Sequence, residues 1–449
     1  MAITINQQPT SPNMANADLL YSVSSNQISQ PQFQYVVDVF ESGSSTLIQR
    51  IKQQANPSGY GVFNMRQILS YQMDSDNVWK TDVFTTSSEC NKSFIVQFGE
   101  EYGTSVSGAV ALYDGIQNIT AGAPAKTGSA QYIITDGLVE PNSGDWNFAS
   151  SSYYSNELID DITFTYSFAL SNAPKTQSIR AGDYLTLSFY NGNADGINNA
   201  TNAQDIYNLE VKQYDSSGVL GTTTNITSSI LRGSPATAKL WGQVYTSQSA
   251  ETRLVHLPAG YQNLTDNGIS WDSDLAYYEV KVNPQATDGD KNENAIWDSF
   301  RFNVEGLECI GEGVRFAWKN EFGVWDYYNF TLAEGAVSNM ERLQYEQIFV
   351  PYNTSTTTAN YDITRRGNKP FNNKITRSKT ANSDWLTQSE ADWLRELFYS
   401  TNVYIQDGTD FKPVIITDAS IVEKTNPRTQ KVFQYLINYQ LANQPRSRF

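Results

Sequence analysis

"FAWKNEFGVWDYYNF", from Phe316 to Phe330, packs two Trp, two Tyr and three Phe around a single turn signal. Strand alternation would put Phe316 and Trp318 on one face, with Arg315, Ala317 and Lys319 opposite. "NEFG" follows, with Asn320 first and Gly323 fourth, as a type I turn with a left-handed glycine prefers. Beyond it Trp325 and Tyr327 face one way, and Asp326, Tyr328 and Phe330 the other. Both faces carry rings, so the expectation is a hairpin covered on both sides: one by its own domain, the other by a neighbouring domain or subunit. Phe316, Trp318, Trp325, Tyr327, Tyr328 and Phe330 are therefore candidate core or interface aromatics. The competing reading is a sugar-stacking platform, for which Asp326 and Asn320 would supply polar neighbours. Strand-borne rings are more often core, which favours the architectural reading.

The same period-2 habit extends outward in both directions. "FQYVVDVF" (33–40) puts Phe33, Tyr35, Val37 and Val39 on one face, and "TLIQRIK" follows a Gly/Ser turn as its hairpin partner. "SFIVQFGEEYG" and "SGAVALYDG" predict two further strands, giving a β-rich domain over 1–130. "DITFTYSFAL", "DYLTLSFYNG", "IYNLEVKQYDSSG" and "LAYYEVKVNP" alternate between Asn/Gly/Asp/Ser turns, which predicts an antiparallel β-sandwich over 131–305. Between two of these lies a long polar loop, "NGNADGINNATNAQ". The remainder, 306–449, is expected to be a C-terminal β domain with one helix over 388–400. There Thr387 and Glu390 make a capping box, and Leu386 with Ala391 can staple it. In "VFQYLINYQLA", Phe433, Tyr435, Ile437, Tyr439 and Leu441 share a side, a strong strand pattern. The predicted fold class is mainly β: multidomain antiparallel β-sandwiches with one short helix packed on a C-terminal sheet.

The bulk figures agree with a globular chain. Its 449 residues are 39% hydrophobic and 17% charged, so its polarity comes from Asn, Gln, Ser and Thr. A net charge of −16 argues against coating nucleic acid or an anionic membrane with the whole surface. "MAITINQQPTSPNM" has neither a basic start nor an apolar core, so no signal peptide is expected there. No run approaches the length of a spanning helix, so no membrane insertion is expected. Sequons such as Asn118-Ile-Thr120 and Asn329-Phe-Thr331 are expected to be strand ends rather than glycan acceptors. Cys90 and Cys309 fit no metal-ligand spacing; they are either a disulfide or two buried thiols.

Few residues could carry chemistry. His256 is the only histidine, so any Ser-His-Asp or Cys-His mechanism would have to run through it. It lies in "RLVHLPAG", an apolar strand without a nucleophile elbow, which predicts a structural role. A carboxylate-pair glycosidase would be sought beside the Trp-rich strands, at Asp326, Asp298 and Glu321. "DGDKNENAIWD" spaces Asp288, Asp290, Asn292 and Asn294 like calcium ligands. Glu293 then stands where glycine belongs and Ser299 where the bidentate glutamate belongs, so a solvated turn is expected. "RRGNKPFNNKITRSK" holds Arg365, Arg366, Lys369, Lys374, Arg377 and Lys379 and no acid. It is either an exposed linker before the helix or a patch that docks on a neighbouring subunit's acidic surface. No aromatic-basic signature accompanies it, so nucleic acid is not an expected partner. No catalytic residue, metal site or cofactor is predicted.

"VRFAWKNEFGVWDYYNF" resembles the aromatic Trp-x-Asn-x-x-Gly-x-Trp-Asp stretch of tail- and neck-associated virion proteins of tailed bacteriophages, notably marine phages and phages of Bacteroidetes, crAss-like ones included. Those proteins carry passages similar to "SFIVQFGEEYG" near the start and to "DWLTQSEADWLRELFYSTNVYIQDG…KPVIITD" near the end. The resemblance implies a non-enzymatic virion component of the tail, baseplate or neck, assembled in the host cytoplasm. Its partners would be copies of itself and other virion proteins. The alternatives are a receptor-binding tail protein that recognises host surface polysaccharide and, behind it, a tail glycan-degrading enzyme.

Overall fold

The computed structural model describes residues 3–9, 13–41, 46–87, 89–103, 130–135, 166–167, 169–190, 206–226, 254–284, 296–297, 299–305, 313–346, 352–353, 355, 357–359, 367–418 and 434–443. Among these residues strands predominate, most ladders are antiparallel, and there are three helices. The fold is mainly β and multidomain. The chain divides into two compact units: residues 1–306 with 319–326, and residues 307–318 with 327–449.

The sequence pattern put a domain boundary near residue 130, yet the first unit runs through it. The reason is a shared ladder. Strand Thr85–Thr86 pairs antiparallel with Leu254–Pro258, whose other neighbour is Thr186–Tyr190. Backbone hydrogen bonds thus join the stretch before residue 130 to the stretch after it, a pairing that local pattern cannot reveal.

At the start of this unit two sheets face one another. One orders Ile3–Gln7, Leu20–Ser25 and Tyr60–Asn64; the other orders Asn13–Met14, Ala130–Thr135, Asn91–Glu101, Gln34–Glu41 and Leu47–Gln53. They share one apolar cluster, with Tyr21, Val23 and Phe63 from the first and Tyr35, Val37, Val39, Phe94 and Val96 from the second. That is sandwich packing. Strand Gln34–Glu41, which lies between two others in its sheet, is buried on both faces, Val36, Asp38 and Phe40 included. A buried carboxylate is costly without a partner, and Arg50 across the ladder supplies two bonds of 2.6 Å to Asp38.

Further along, a five-stranded sheet orders Thr176–Arg180, Ser299–Glu305, Tyr277–Pro284, Ile206–Tyr214 and Leu220–Ile226. Its buried side chains alternate as expected: Leu209 and Val211, Tyr278, Val280 and Val282, Phe300 and Phe302. Thr176–Arg180 departs from the antiparallel expectation by running parallel to Ser299–Glu305.

The second unit is built on a seven-stranded sheet ordered Trp325–Phe330, Val314–Lys319, Val403–Asp407, Asp410–Ile416, Leu436–Leu441, Asn368–Asn382 and Leu332–Glu346. Ile437 and Tyr439, which the alternation put on one side of the strand, are fully buried. Helix Gln388–Tyr399 begins at Thr387 with both halves of the capping box in place. The Thr387 N–H donates to Glu390 Oε2 at 2.7 Å, and the Glu390 N–H to Thr387 Oγ1 at 3.4 Å. Leu386 and Ala391 are buried, as a staple requires. Trp393 seats the helix on the sheet, 5.2 Å from the Trp318 ring and 6.0 Å from Tyr328. The two helices that the pattern missed, Arg66–Ser70 and Tyr261–Asp266, are too short to show a 3.6-residue period and have no side-chain cap.

Candidate functional site

The aromatic hairpin folds through its turn as its sequence predicts. The Gly323 N–H donates to the Asn320 carbonyl at 3.0 Å and the Asn320 N–H to the Val324 carbonyl at 2.8 Å. Gly323 has φ +82°, where a side chain would be strained. Asn320 is buried; its Oδ1 accepts from the Phe322 and Val324 N–H groups while Nδ2 donates to the Leu170 carbonyl.

The exposures of the rings decide what the hairpin can do. Phe316 and Trp318 are 0% exposed, Phe330 1%, Trp325 3% and Tyr327 3%, with Tyr328 half-buried. In the second unit Phe316 meets Phe330 and Tyr439 edge-on at 5.1 Å. On the opposite face Arg315 donates to Asn329 Oδ1 at 2.9 Å and lies 5.4 Å from the centre of the Tyr327 ring. In the first unit Trp325 packs edge-on against Trp79 at 5.0 Å. Its indole N–H donates to the Asp76 carbonyl at 2.7 Å. The sequence reading assigned one ring-bearing face to a neighbouring domain or subunit; within the chain these rings are already buried. No sugar can stack on rings this inaccessible. Asp326 is 4% exposed and Glu321 is bonded to Asn172, so neither offers a free carboxylate in an open cleft. Asp298 lies outside the described residues. Asn329, in the Asn329-Phe-Thr331 sequon, is buried and already bonded to Arg315.

The one constellation with the elements of a catalytic triad runs through His256. Ser188 and His256 face each other across the Thr186–Tyr190/Leu254–Pro258 ladder, with Ser188 Oγ 2.8 Å from His256 Nδ1. The other ring nitrogen, Nε2, is 3.3 Å from Asp76 Oδ2. Asp76 also accepts from Ser87 Oγ at 2.5 Å and from the backbone N–H groups of Glu89 at 2.8 Å and Cys90 at 3.2 Å. A ring protonated on Nε2 satisfies both contacts, donating to Asp76 and accepting the Ser188 hydroxyl.

Ser188, His256 and Asp76 are 4%, 1% and 6% exposed. Ser188 lies in mid-strand and is buried, whereas a nucleophile needs a site beside it where the reacting atom can sit. The constellation is a buried polar junction that fixes the chain near residue 76 to the Leu254–Pro258 strand. Sequence reasoning gave His256 its structural role but missed Ser188, Asp76 and Ser87. Only the strand register, which pairs Ser188 with His256, could have pointed to the serine.

Cys90 closes the junction. Its Sγ donates to the Gly323 carbonyl at 3.0 Å. Burial pushes the thiol well above its ordinary pKa, and the Asp76 charge adds to that. Burial pulls the nearby Lys319 ammonium below its ordinary value, with the Asp74 charge acting the other way. Cys90 is a free thiol; Cys309 lies outside the described residues.

The basic stretch is not a linker. Lys369, Lys374, Arg377 and Lys379 lie on strand Asn368–Asn382, paired along its length with Leu332–Glu346. Arg365 and Arg366 lie outside the described residues, as do Asp288, Asp290, Asn292, Asn294, the sequon at Asn118, the 107–115 strand and the 191–204 loop. Among the described residues no three His, Cys, Asp or Glu side chains group to hold a metal ion, and no helix is long and apolar enough to cross a membrane. The chain matches no protein-family model and no curated protein.

Proposed function

We propose that this chain is a non-enzymatic structural component of a bacteriophage virion, of the tail, baseplate or neck, that works by assembling through the surfaces of its β domains. The observation that carries the reading is where its chemistry-bearing residues go. The rings of the Phe316–Phe330 hairpin and the Ser188–His256–Asp76 chain are all spent inside the fold, so the surface is left for protein contacts. The likeness of three separated passages to phage tail and neck proteins supplies the setting. The polysaccharide-binding alternative loses the rings on which it relied, since Trp318 and Trp325 are closed to any ligand. A glycosidase loses the Trp-flanked Asp326.

Long-lived particles rest on large obligate interfaces, commonly above ~2,000 Å². The protein is expected to be made in the host cytoplasm and to stay with the particle. The test is to locate it in purified particles, by mass spectrometry of their proteins and by placing the fold in an electron-microscopy map. The reading predicts density for the seven-stranded sheet at a fixed position in every particle. Particles that infect normally without containing the chain would overturn it.

A further inference from the structure

The strongest unused feature is the ribbon formed by Leu332–Glu346 and Asn368–Asn382. Asn368–Asn382 pairs with Leu436–Leu441 only through Ser378–Asn382. Beyond that point the two strands have, among the described residues, no ladder neighbour except each other. Every residue from Ala336 to Glu346 is exposed, so neither face of that strand is covered. A two-stranded ribbon is marginal in water on its own, and this one carries apolar side chains into solvent. Val337 and Met340 are 58% exposed, Phe371 56%, Tyr345 47% and Leu343 46%. Tyr345 and Phe371 meet at 6.2 Å beside a register shift between Leu343 and Gln344.

Charge identifies what would cover it. Between Gly335 and Glu346 and between Asn368 and Lys379 the sequence of the ribbon carries five cations, Arg342, Lys369, Lys374, Arg377 and Lys379, and two acids, Glu341 and Glu346. The chain as a whole has 47 acids to 31 Lys and Arg. A cationic, apolar-studded ribbon on an acidic protein is complementary to the surface of another copy of that protein.

Size allows it. About ten residues at ~3.4 Å each give a ribbon of ~34 Å, and two strands are ~10 Å wide. Covering both faces approaches the ~800 Å² per partner of a standard interface, and reciprocal exchange between two copies doubles it. Lysines and Pro370 along one strand oppose the addition of a further strand, so the contact is made by side chains.

We infer that this ribbon is an assembly arm that docks on the acidic surface of a second copy of the chain. The inference names the partner for the assembling protein proposed above and rests on that reading, but its test is separate. The full chain is measured by sedimentation velocity beside two variants. In one, a two-residue Asn-Gly turn replaces residues 338–377 and joins Val337 to Ser378, which face each other in the ladder. In the other, Met340→Ser, Leu343→Ser and Phe371→Ser leave the arm in place. The native chain should self-associate, more weakly as salt is raised, and both variants should lose at least ~tenfold in association, as removal of central apolar anchors does. If the shortened chain fails to fold, the serine variant decides. A native chain that stays monomeric at high concentration would overturn the inference, as would a serine variant that associates as well as the parent. Self-association through the arm by a chain missing from particles would keep the arm and discard the virion setting. A chain present in particles whose serine variant associates normally would do the reverse.

Discussion

The two edges of the seven-stranded sheet are formed by strands close together in sequence, and they could hardly differ more. At one edge Trp325–Phe330 is buried at every position except Tyr328, which is half-buried. At the other edge Leu332–Glu346 is exposed at every position from Ala336 onward. Edge position does not decide the matter. Trp325, Tyr327 and Phe330 each bury a large apolar area, whereas Val337, Met340, Leu343 and Tyr345 stand in solvent among Ser338, Asn339, Glu341 and Arg342. The rings of one hairpin are spent inside the chain, and the exposed ribbon is left over for something else. Substitutions at the two edges should have effects of very different size.

The largest loss is expected at Trp318, fully buried between the sheet and Trp393. Trp318→Ala removes a ring that nothing nearby can replace and should cost about 3–5 kcal/mol, read as a lower urea midpoint with an unchanged slope. A cost below about 1 kcal/mol would mean that the hairpin rings are not core and would erase the contrast between the edges.

Next comes Asp76. Its carboxylate accepts from Ser87, from His256 and from the Glu89 and Cys90 N–H groups, so Asp76→Ala strands several buried donors at once. At about 1–3 kcal/mol for a stranded buried donor, and with partial relaxation, a loss of about 3 kcal/mol is expected. Asp76→Asn keeps an acceptor and should lose less. Equal losses for the two would show that packing, not hydrogen bonding, holds the junction.

The Cys90 thiol gives the same junction a pH signature. Its folded pKa is raised above the ordinary value of 9.0. Above that value the unfolded thiol releases its proton while the folded one keeps it. The unfolded state then binds fewer protons, and stability must fall with rising pH by about 1.4 kcal/mol per unit for this group. Lys319 has the opposite sign: its lowered pKa makes stability rise with pH in the window below its ordinary value. The measurement is therefore the stability difference between the native chain and Cys90→Ala. It should be flat up to about pH 9 and shrink above it. A difference that stays constant to about pH 10 would place the thiol in contact with water.

What the sequence disclosed divides along the same line as these effects. Local signals survived intact: the Asn320–Gly323 turn, the Thr387 capping box, and the alternation that buries Ile437 and Tyr439. Each is written within a few residues and needs no distant partner. The Asp76 junction was invisible because "MDSDNVWK" has no period and its partner His256 is remote in the chain. Only the antiparallel register brings Ser188 opposite the imidazole. The basic stretch was open to reading as a linker because Gly367, Pro370 and the Asn pair suggest turns. Its strand conformation comes from pairing with Leu332–Glu346, which supplies backbone partners that composition cannot announce. The pairing of Thr85–Thr86 with Leu254–Pro258, which joins the stretches on either side of residue 130, was hidden for the same reason.

The smallest effect belongs to the exposed edge, and it sharpens the comparison most. Met340 and Ile375 face each other across the ribbon, and Met340 is 58% exposed. Met340→Ser therefore gives up little burial within the chain. At concentrations where the chain is monomeric, its unfolding free energy should change by no more than about 0.5 kcal/mol, as for other surface positions. At concentrations where copies associate, the same substitution should lower the apparent stability, because binding to the folded state adds to it by mass action. That concentration dependence should be missing from Trp318→Ala, whose cost is paid within one molecule. If Met340→Ser were costly even in the monomer, the ribbon would be part of the core after all, and the two edges would differ only in how deeply they are buried.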